Sequence, residues 1–231
     1  MSAAFGDLPS GPAGFRQGSG RLSLDFVRTL RRRGTPDVIE ELDEPPALRA
    51  WVHQFFPSLA PPTVDDARLA TALALREAVR QLIDAARGPG GRASCHPDAV
   101  DLVNQAAARP TPAPSLDPTG GLGLWSPDPV TAVLSLIARD ALDLVTSEAV
   151  HRIRQCAGPA CGAMFVDMSR PGTRRWCSMG TCGNQAKKAA LRGRKTPPGQ
   201  SVKPPDSGAA PTSFTTVSSP TSVTDVLTEG L

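Results

Sequence analysis

The sequence lacks the features that would direct it into or across a membrane. No stretch of the 231 residues approaches the roughly 18 to 20 consecutive apolar residues that a membrane-spanning helix needs. The first 30 residues also lack the basic segment and the apolar core of a signal peptide. We therefore expect a cytoplasmic protein with no membrane partner. Because that compartment is reducing, its five cysteines are not expected to form structural disulfides.

Patterns typical of catalytic sites are also missing. The three histidines are scattered, no glycine-rich phosphate-binding loop is present, and no pair of carboxylates stands out. Cys95 and His96 are adjacent, which is a poor geometry for a nucleophile and its base. We therefore predict that the chain is not an enzyme.

Acidic residues are almost absent from one part of the chain. Residues 151–195 contain ten Lys and Arg side chains and a single carboxylate, Asp167, whereas residues 1–150 contain 14 basic and 18 acidic side chains. The formal net charge of +3 therefore conceals one strongly cationic block. Four of the five cysteines lie inside that block, which makes metal binding the leading hypothesis.

The ends of the chain are predicted to be disordered. Residues 1–19 are mainly small residues that are not expected to pack. Residues 196–231 contain 19 Ser, Thr or Pro residues out of 36 and almost no large apolar side chains, so burial cannot offset their ordering entropy. Folding is expected over residues 20–148, as a helical domain with a small sheet, and over residues 150–195.

Hydrophobic spacing predicts a mainly α fold with a small β-sheet. Apolar residues at helical spacing follow Pro45, Pro97 and Pro129, and Pro suits the first turn of a helix. The clearest helix is predicted over residues 64–87, where Thr63 and Asp66 resemble a capping box. Strands are expected where apolar residues alternate or flank a turn, namely at Leu22, Leu24 and Phe26 and in a hairpin of residues 113–116 and 122–125.

The cysteines of the cationic block have metal-ligand spacing. Four residues separate Cys156 from Cys161, four separate Cys177 from Cys182, and fifteen lie between the pairs. Two closely spaced pairs supply the four tetrahedral ligands of a structural zinc site and leave no open position for catalysis, so we predict one Zn²⁺ per chain. An iron–sulfur cluster or a redox-active disulfide pair remains an alternative. A strand over 163–166 and a helix over 183–195 would give a treble-clef-like zinc module.

Basic side chains surround these cysteines and predict a nucleic-acid surface. In the predicted helix, Lys188, Arg192 and Lys195 are spaced to lie on one face, although a solvated basic face is the simpler alternative. Trp176 is predicted either to stack on a base or to pack over the zinc loops. The candidate nucleic-acid-binding residues are Arg170, Arg174, Arg175, Lys187, Lys188, Arg192, Arg194 and Lys195.

The run from Cys156 to Lys187 resembles the CGNR-type zinc finger. The motifs that carry this resemblance are Arg174-Arg175-Trp176-Cys177-Ser178-Met179 and Cys182-Gly183-Asn184-Gln185. The segment from Gly20 to Thr29 and the run Leu75-Arg76-Glu77-Ala78 are similar to the ABATE domain, which precedes that finger in bacterial proteins described as stress-induced transcription regulators. Where the family motif has Arg, this chain has Gln185, which keeps hydrogen-bonding capacity but loses the charge and the bidentate fork.

The resemblance implies a mainly helical N-terminal domain and a zinc module that binds DNA. The leading functional hypothesis is therefore a transcription regulator whose partner is duplex DNA. Residues 20–148 would sense a small-molecule effector or form a homo-oligomer. An RNA-binding module and a protein-interaction adaptor with a purely structural zinc are the alternatives.

Overall fold

A computed structural model describes residues 14–116, 119–159 and 161–194 of the chain, without the side chains of residues 193 and 194. The predicted disorder of residues 1–13 and 196–231 lies outside these ranges. The helices are α1 (Leu22–Val27), α2 (Pro45–Phe55), α3 (Asp66–Arg87), α4 (Pro97–Ala107), α5 (Pro129–Thr146) and α6 (Asn184–Arg194). The strands are β1 (Leu30–Arg31), β2 (Ile39–Glu40), β3 (Ala113–Leu116), β4 (Leu122–Trp125), β5 (Ile153–Gln155) and β6 (Met164–Val166).

Helices α3 and α5 pack together at the centre of the helical region. Their apolar faces bury Leu75, Val79 and Ile83 of α3 and Ile137 and Leu144 of α5. Helix α4 packs against both, and α1 lies against α5. The spacing of three and four residues along each helix places these side chains on one face, which explains why burial stabilises the pair.

The helix starts follow the sequence predictions with one correction. Pro45, Pro97 and Pro129 each occupy the first turn of their helices, where the missing N–H leaves no hydrogen bond unmade. The capping box predicted at Thr63 is wrong. The N-cap of α3 is Asp65, whose carboxylate accepts a 2.8 Å hydrogen bond from the backbone N–H of Arg68.

Helix α1 replaces the predicted strand at Leu22, Leu24 and Phe26. Residues 23–27 are all buried, so the polar residues that alternate with the apolar ones do not face solvent. Ser23 donates from its backbone and its hydroxyl to Asp140, at 2.8 and 2.5 Å. Asp25 accepts hydrogen bonds from the backbone of Gly18 and Ser19. The alternation reflects satisfied buried polar groups rather than a half-exposed strand.

Residues 14–19 pack on the fold, contrary to the expectation that residues 1–19 would not. The side chain of Gln54 exchanges two hydrogen bonds with the backbone of Phe15, at 2.8 and 2.7 Å. Ser19 is fully buried, and its carbonyl accepts a 2.8 Å hydrogen bond from the backbone N–H of Val166. Backbone hydrogen bonds therefore order this segment although its composition is poor in large apolar residues.

Each sheet is an antiparallel pair of strands. The predicted hairpin is confirmed, with β3 paired to β4 so that Ala113 lies opposite Trp125 and Leu116 lies opposite Leu122. Strands β5 and β6 pair from Ile153 opposite Val166 to Gln155 opposite Met164. The mainly α fold class with small β-structure is confirmed. Within the described ranges, no helix is long and apolar enough to cross a membrane.

Strand β6 joins the cysteine-rich segment to the helical core. Met164 and Val166 belong to the apolar core of the helical region, together with Ile153 from β5. Phe165 points the other way and packs with Cys156, Cys177 and Cys182 in a second, smaller core. Because side chains alternate along a strand, three residues are enough to connect the two cores.

Candidate metal centre

The four cysteines of the cationic block come together in one cluster. The sulfurs of Cys156, Cys161, Cys177 and Cys182 all lie within 4.8 Å of one another. Cys156, Cys177 and Cys182 are buried and Cys161 is half-buried. Cys156 follows β5, Cys161 lies in the turn before β6, Cys177 ends a loop, and Cys182 lies in a π-helical turn (Met179–Gly183) that leads into α6. Cys95, as predicted, lies outside this cluster.

The sulfur separations fit a single tetrahedral ion. The sulfurs of Cys161 and Cys177 are 3.6 Å apart, and those of Cys177 and Cys182 are 3.7 Å apart. Zn–S bonds near 2.3 Å place tetrahedral ligands about 3.8 Å apart. A disulfide requires about 2.05 Å between its sulfurs. An iron–sulfur cluster separates its ligands further, because several metal ions and sulfides lie between them. The geometry therefore favours zinc over both alternatives.

Backbone N–H groups and one glycine shape the cluster. The N–H groups of Gly158 and Cys177 point at the sulfur of Cys156, at 3.5 and 3.4 Å. A Cβ at Gly158 would lie 3.2 Å from Cys161 Cβ and 3.4 Å from Cys182 Sγ. A larger residue at this position would therefore crowd Cys161 and contact Cys182. N–H donors of this kind stabilise thiolates and orient them toward a metal.

The thiols of the cluster influence one another's ionisation. A hydrogen bond from the thiol of Cys177 is the main cause that lowers the pKa of Cys161 to about 4. The same hydrogen bond, followed by burial, raises the pKa of Cys177 far above its ordinary range. Burial, together with the neighbouring Cys161, raises the pKa of Cys182 to about 11. A metal that binds here must displace protons from the last two thiols.

Arg28 of the helical region reaches this cluster. It follows α1, its side chain is only 4% exposed, and its Nη2 lies 3.7 Å from Cys177 Sγ. Its Nη1 donates to the hydroxyl of Ser19 at 3.0 Å and lies 3.6 Å from a carboxylate oxygen of Asp25. Sequence reasoning missed Arg28. The one sequence feature that could have indicated its burial is its position directly after the buried residues of α1.

Asp167 organises the loop between β6 and the second cysteine pair. This buried carboxylate accepts hydrogen bonds from the backbone and the hydroxyl of Ser169, at 2.9 and 2.6 Å, and from the backbone N–H of Arg174, at 2.9 Å. These hydrogen bonds, led by that of the Ser169 hydroxyl, lower the pKa of Asp167. The single acidic residue of the cationic block therefore shapes the loop that carries Arg170 to Cys177.

The structure places Arg174 among the groups that build the loop. Its guanidinium lies over the ring of Phe165, 4.6 Å from the centroid. It also donates to the carbonyl of Trp176 at 2.8 Å and to the carbonyl of Cys177. Arg175 and Arg170 are exposed, and Arg175 lies 5.2 Å from the Trp176 ring. Trp176 packs against the cysteine core, which is the second of its two predicted roles.

Helix α6 presents basic side chains to solvent. Lys187, Lys188 and Arg192 are exposed. The observed range of residues 184–194 agrees with the helix predicted over 183–195, and the preceding residues form the π-helical turn. The predicted contact residues Arg194 and Lys195 lie outside the described side chains. Gln185 is also exposed, at the start of this helix.

The four clustered cysteines are followed by a basic helix and lie next to a helical domain. This arrangement is that of a zinc-finger protein. The ABATE family model, described as "Putative stress-induced transcription regulator", matches residues 20–148. The CGNR zinc finger model matches residues 152–195. The chain therefore belongs to the ABATE family and carries a CGNR zinc finger, which confirms the resemblance inferred from its motifs. No curated protein matches the chain.

These matches, with the cysteine geometry, identify one zinc ion as the cofactor and the chain as a zinc-containing regulator. Neither family description names an enzymatic activity. The matched finger includes α6 and all four clustered cysteines.

Proposed function

We propose that this protein is a transcription regulator that binds duplex DNA through its zinc finger. In this proposal Cys156, Cys161, Cys177 and Cys182 are the zinc ligands. The helical domain corresponds to residues 20–148 and the finger to residues 150–195. The zinc neutralises part of the charge of four thiolates and holds the loops in the tetrahedral arrangement that fixes where α6 begins.

The observation that carries the proposal is the difference in ion pairing between the two parts of the chain. In the helical domain, nine arginines pair with carboxylates within 4.0 Å. Among the described side chains of residues 151–192, no Lys or Arg forms such a pair. An uncompensated cationic surface attracts polyanions and weakens the isolated fold through self-repulsion.

The position of the charges supports contacts with a DNA backbone. Lys188 and Arg192 are separated by four residues, so they share one face of α6, and Lys187 lies beside them. Like charges at this spacing destabilise a helix by a few tenths of a kcal/mol, which a bound phosphate chain would relieve. Exposed Arg170 and Arg175 extend the basic surface along the loop before α6. Arg194 and Lys195 would continue it.

Arg174 has a different place in this proposal. Because its guanidinium already binds two carbonyls and stacks on Phe165, we assign it to holding the loop rather than to reading DNA. Arg175 is exposed beside it and is the candidate for a contact with a base edge, where Arg binds guanine with two hydrogen bonds. Arg174 then positions its neighbour.

Selection from a random duplex library tests the function. The zinc-loaded full chain is incubated with the library, bound DNA is amplified, and the enriched site is compared with a scrambled duplex. We expect an enriched sequence that binds at least tenfold more tightly than the scrambled duplex. A structured RNA that displaces the selected duplex at equal concentration would favour the RNA-binding alternative. Weak, salt-independent binding of all polyanions would favour a protein adaptor.

A further inference from the structure

A cleft of about 170 Å³ lies between the zinc finger and the helical domain. We call it the junction cleft. The helical side contributes Arg16, Arg28 and the run of residues 31–33. The finger contributes Gly158, Pro159 and Gln185, together with two of the zinc ligands, Cys161 and Cys182. No carboxylate is among the described residues that line it.

Three of these arginines already contact partners within the protein. Arg31 binds Glu41 at 2.9 Å, and Arg33 forms two hydrogen bonds with Glu77, at 2.6 and 2.8 Å. Arg28 lies against Cys177, where its positive charge offsets the negative charge of the thiolate ligands. These three arginines line the cleft with positive charge that their partners already offset in part.

Arg16 and Arg32 remain available to a ligand. Arg16 is half-buried and forms no ion pair with any residue that the structure describes. The nearest carboxylate to Arg32 is that of Asp37, at 3.9 Å, and Asp37 is 78% exposed. Arg16 has no ion pair and Arg32 has only the long contact with exposed Asp37, so the positive charge of two guanidinium groups in a concave site is weakly compensated unless an anion joins them.

The backbone of Arg32 provides an independent observation. Its φ is +54°, and within the described ranges it is the sole non-glycine residue with a positive φ. This left-handed conformation is unfavourable for a side chain with a Cβ, and Asn or Gly tolerates it better. Residues kept in strained conformations cluster at binding sites, because function rather than folding selects them.

The size and the donors of the cleft indicate the class of ligand. A volume of about 170 Å³ is below the roughly 300 to 1,000 Å³ typical of sites for drug-sized molecules. It suits one tetrahedral anion. Guanidinium groups match the oxygens of a phosphate with paired, charge-assisted hydrogen bonds, and the side-chain amide of Gln185 adds a neutral donor.

We propose that the junction cleft binds a phosphate group through Arg16 and Arg32, with Gln185 on the finger side. This site is distinct from the basic face of α6 on which DNA binding was proposed. The phosphate group could belong to a free phosphorylated ligand or to a DNA backbone that extends past the finger. Because both modules line the cleft, an occupant would couple the finger to the helical domain.

Equilibrium dialysis with radiolabelled inorganic phosphate tests the site. The zinc-loaded full chain is used, with chloride to keep the ionic strength constant. We expect saturable binding that Arg16→Gln and Arg32→Asn each weaken about tenfold or more. The matched control is Arg49→Gln, since Arg49 is an exposed arginine of the same domain that does not line the cleft. This control should bind phosphate like the wild type.

Arg32→Asn also separates binding from folding. Asn accepts a left-handed backbone more readily than Arg, so the denaturant midpoint of this variant should equal or exceed that of the wild type. A variant that is at least as stable but binds phosphate more weakly supports the proposal. Phosphate binding that does not saturate, or that is the same in both variants as in the wild type, overturns it.

A duplex arm distinguishes the two sources of phosphate. If an excess of duplex DNA releases the labelled phosphate, and Arg32→Asn weakens duplex binding, the cleft receives a backbone phosphate. If duplex and phosphate bind together, the ligand is a free phosphorylated molecule. Phosphate binding without any duplex binding would contradict the proposed function and leave the junction cleft supported.

Discussion

The guanidinium of Arg28 lies 3.7 Å from the sulfur of Cys177 although the two residues are 149 positions apart in the chain. Arg28 belongs to the helical domain and Cys177 to the zinc finger. The arginine is nearly fully buried, so this donor is not screened by water. The electrostatic environment of the metal centre therefore depends on both domains.

Replacing Arg28 should weaken zinc binding. Removing a partner of a metal ligand typically reduces metal affinity by about 10- to 100-fold. We expect a loss of this size in Arg28→Gln and a partial recovery in Arg28→Lys, which restores the charge without the planar fork. Competition with a chromophoric chelator measures the affinity of each variant.

Arg87→Gln is the matched control for that experiment. Arg87 also reaches the finger from the helical domain, but its Nη1 contacts the sulfur of Met164, at 3.5 Å, rather than a cysteine. Zinc affinity should be unchanged in this variant. Equal zinc affinity in wild type and a folded Arg28→Gln would show that Arg28 has only a packing role.

Zinc content should depend on the four clustered cysteines. We expect one zinc per chain in the wild type and in Cys95→Ser, and a large loss of zinc in Cys156→Ser or Cys182→Ser, because a hydroxyl is a poor ligand for this ion. Chelation should unfold the finger while the packed helices α3, α4 and α5 keep their circular dichroism. Elemental analysis that finds iron, or a Cys95→Ser variant without metal, would contradict the assignment.

Zinc affinity should fall as the pH falls. The pKa of Cys182 is raised to about 11 and that of Cys177 is also raised, so both thiols are protonated at neutral pH and must lose a proton on binding. Cys161, with a pKa of about 4, is already a thiolate and contributes nothing to this dependence near pH 7. Release of about two or more protons per zinc implies a loss of affinity of about 100-fold per pH unit.

Calorimetry in buffers with different ionisation enthalpies would count the released protons. The measurement is best made between pH 6 and 8 on protein kept reduced, where the finger cysteines cannot form disulfides. A dissociation constant that is constant over this range would mean that all of the ligand thiols are ionised before the metal arrives.

Salt should weaken DNA binding in proportion to the phosphates contacted. If about four to six cations contact the backbone, log affinity should fall with log salt at a slope near −4 to −5. Lys188→Ala or Arg192→Ala should reduce the slope by about one unit on both the selected and the scrambled duplex. Arg49→Ala should leave it unchanged. A wild-type slope near zero would identify the basic face of α6 as a solvated surface.

Arg174 and Arg175 should differ when each is replaced. Arg174→Gln removes donors to two carbonyls and the contact with Phe165, so it should lower the thermal stability of the finger as well as DNA affinity. Arg175→Gln should preserve stability and reduce the preference for the selected site over the scrambled duplex. Thermal melts and paired titrations would separate the two effects. Identical behaviour of the variants would refute this division of roles.

The spacing of residues was enough to predict most of the helices and the β3–β4 hairpin, because local periodicity determines them. It also predicted which four cysteines form the cluster, because each pair is closed by a short loop. It failed at α1, where Ser23 and Asp25 are buried. Their partners, Asp140 and the backbone near Ser19, contribute hydrogen bonds that no local pattern reveals. The contact of Arg28 could not be predicted either, because its partner, Cys177, lies in the other domain.

The junction cleft was out of reach for a related reason. Residues 31–33 are all arginine, so the sequence does not distinguish them. In the structure, Arg31 and Arg33 have close carboxylate partners, whereas Arg32 has a left-handed backbone. Only the turn between β1 and β2 separates their roles. The sequence shows three positive charges but does not indicate which of these arginines is available to a ligand.

Strand β6 has a consequence for how such proteins can change over generations. Its middle residue, Phe165, belongs to the cysteine core, while Met164 and Val166 belong to the helical core. A gene fragment that encoded the finger alone would produce a peptide in which Ile153, Met164 and Val166 lack the helical core that buries them. The backbone N–H of Val166 would also lack its acceptor, the carbonyl of Ser19. Exchange of this finger between unrelated proteins is therefore disfavoured, and recombination should transmit it together with the helices that precede it.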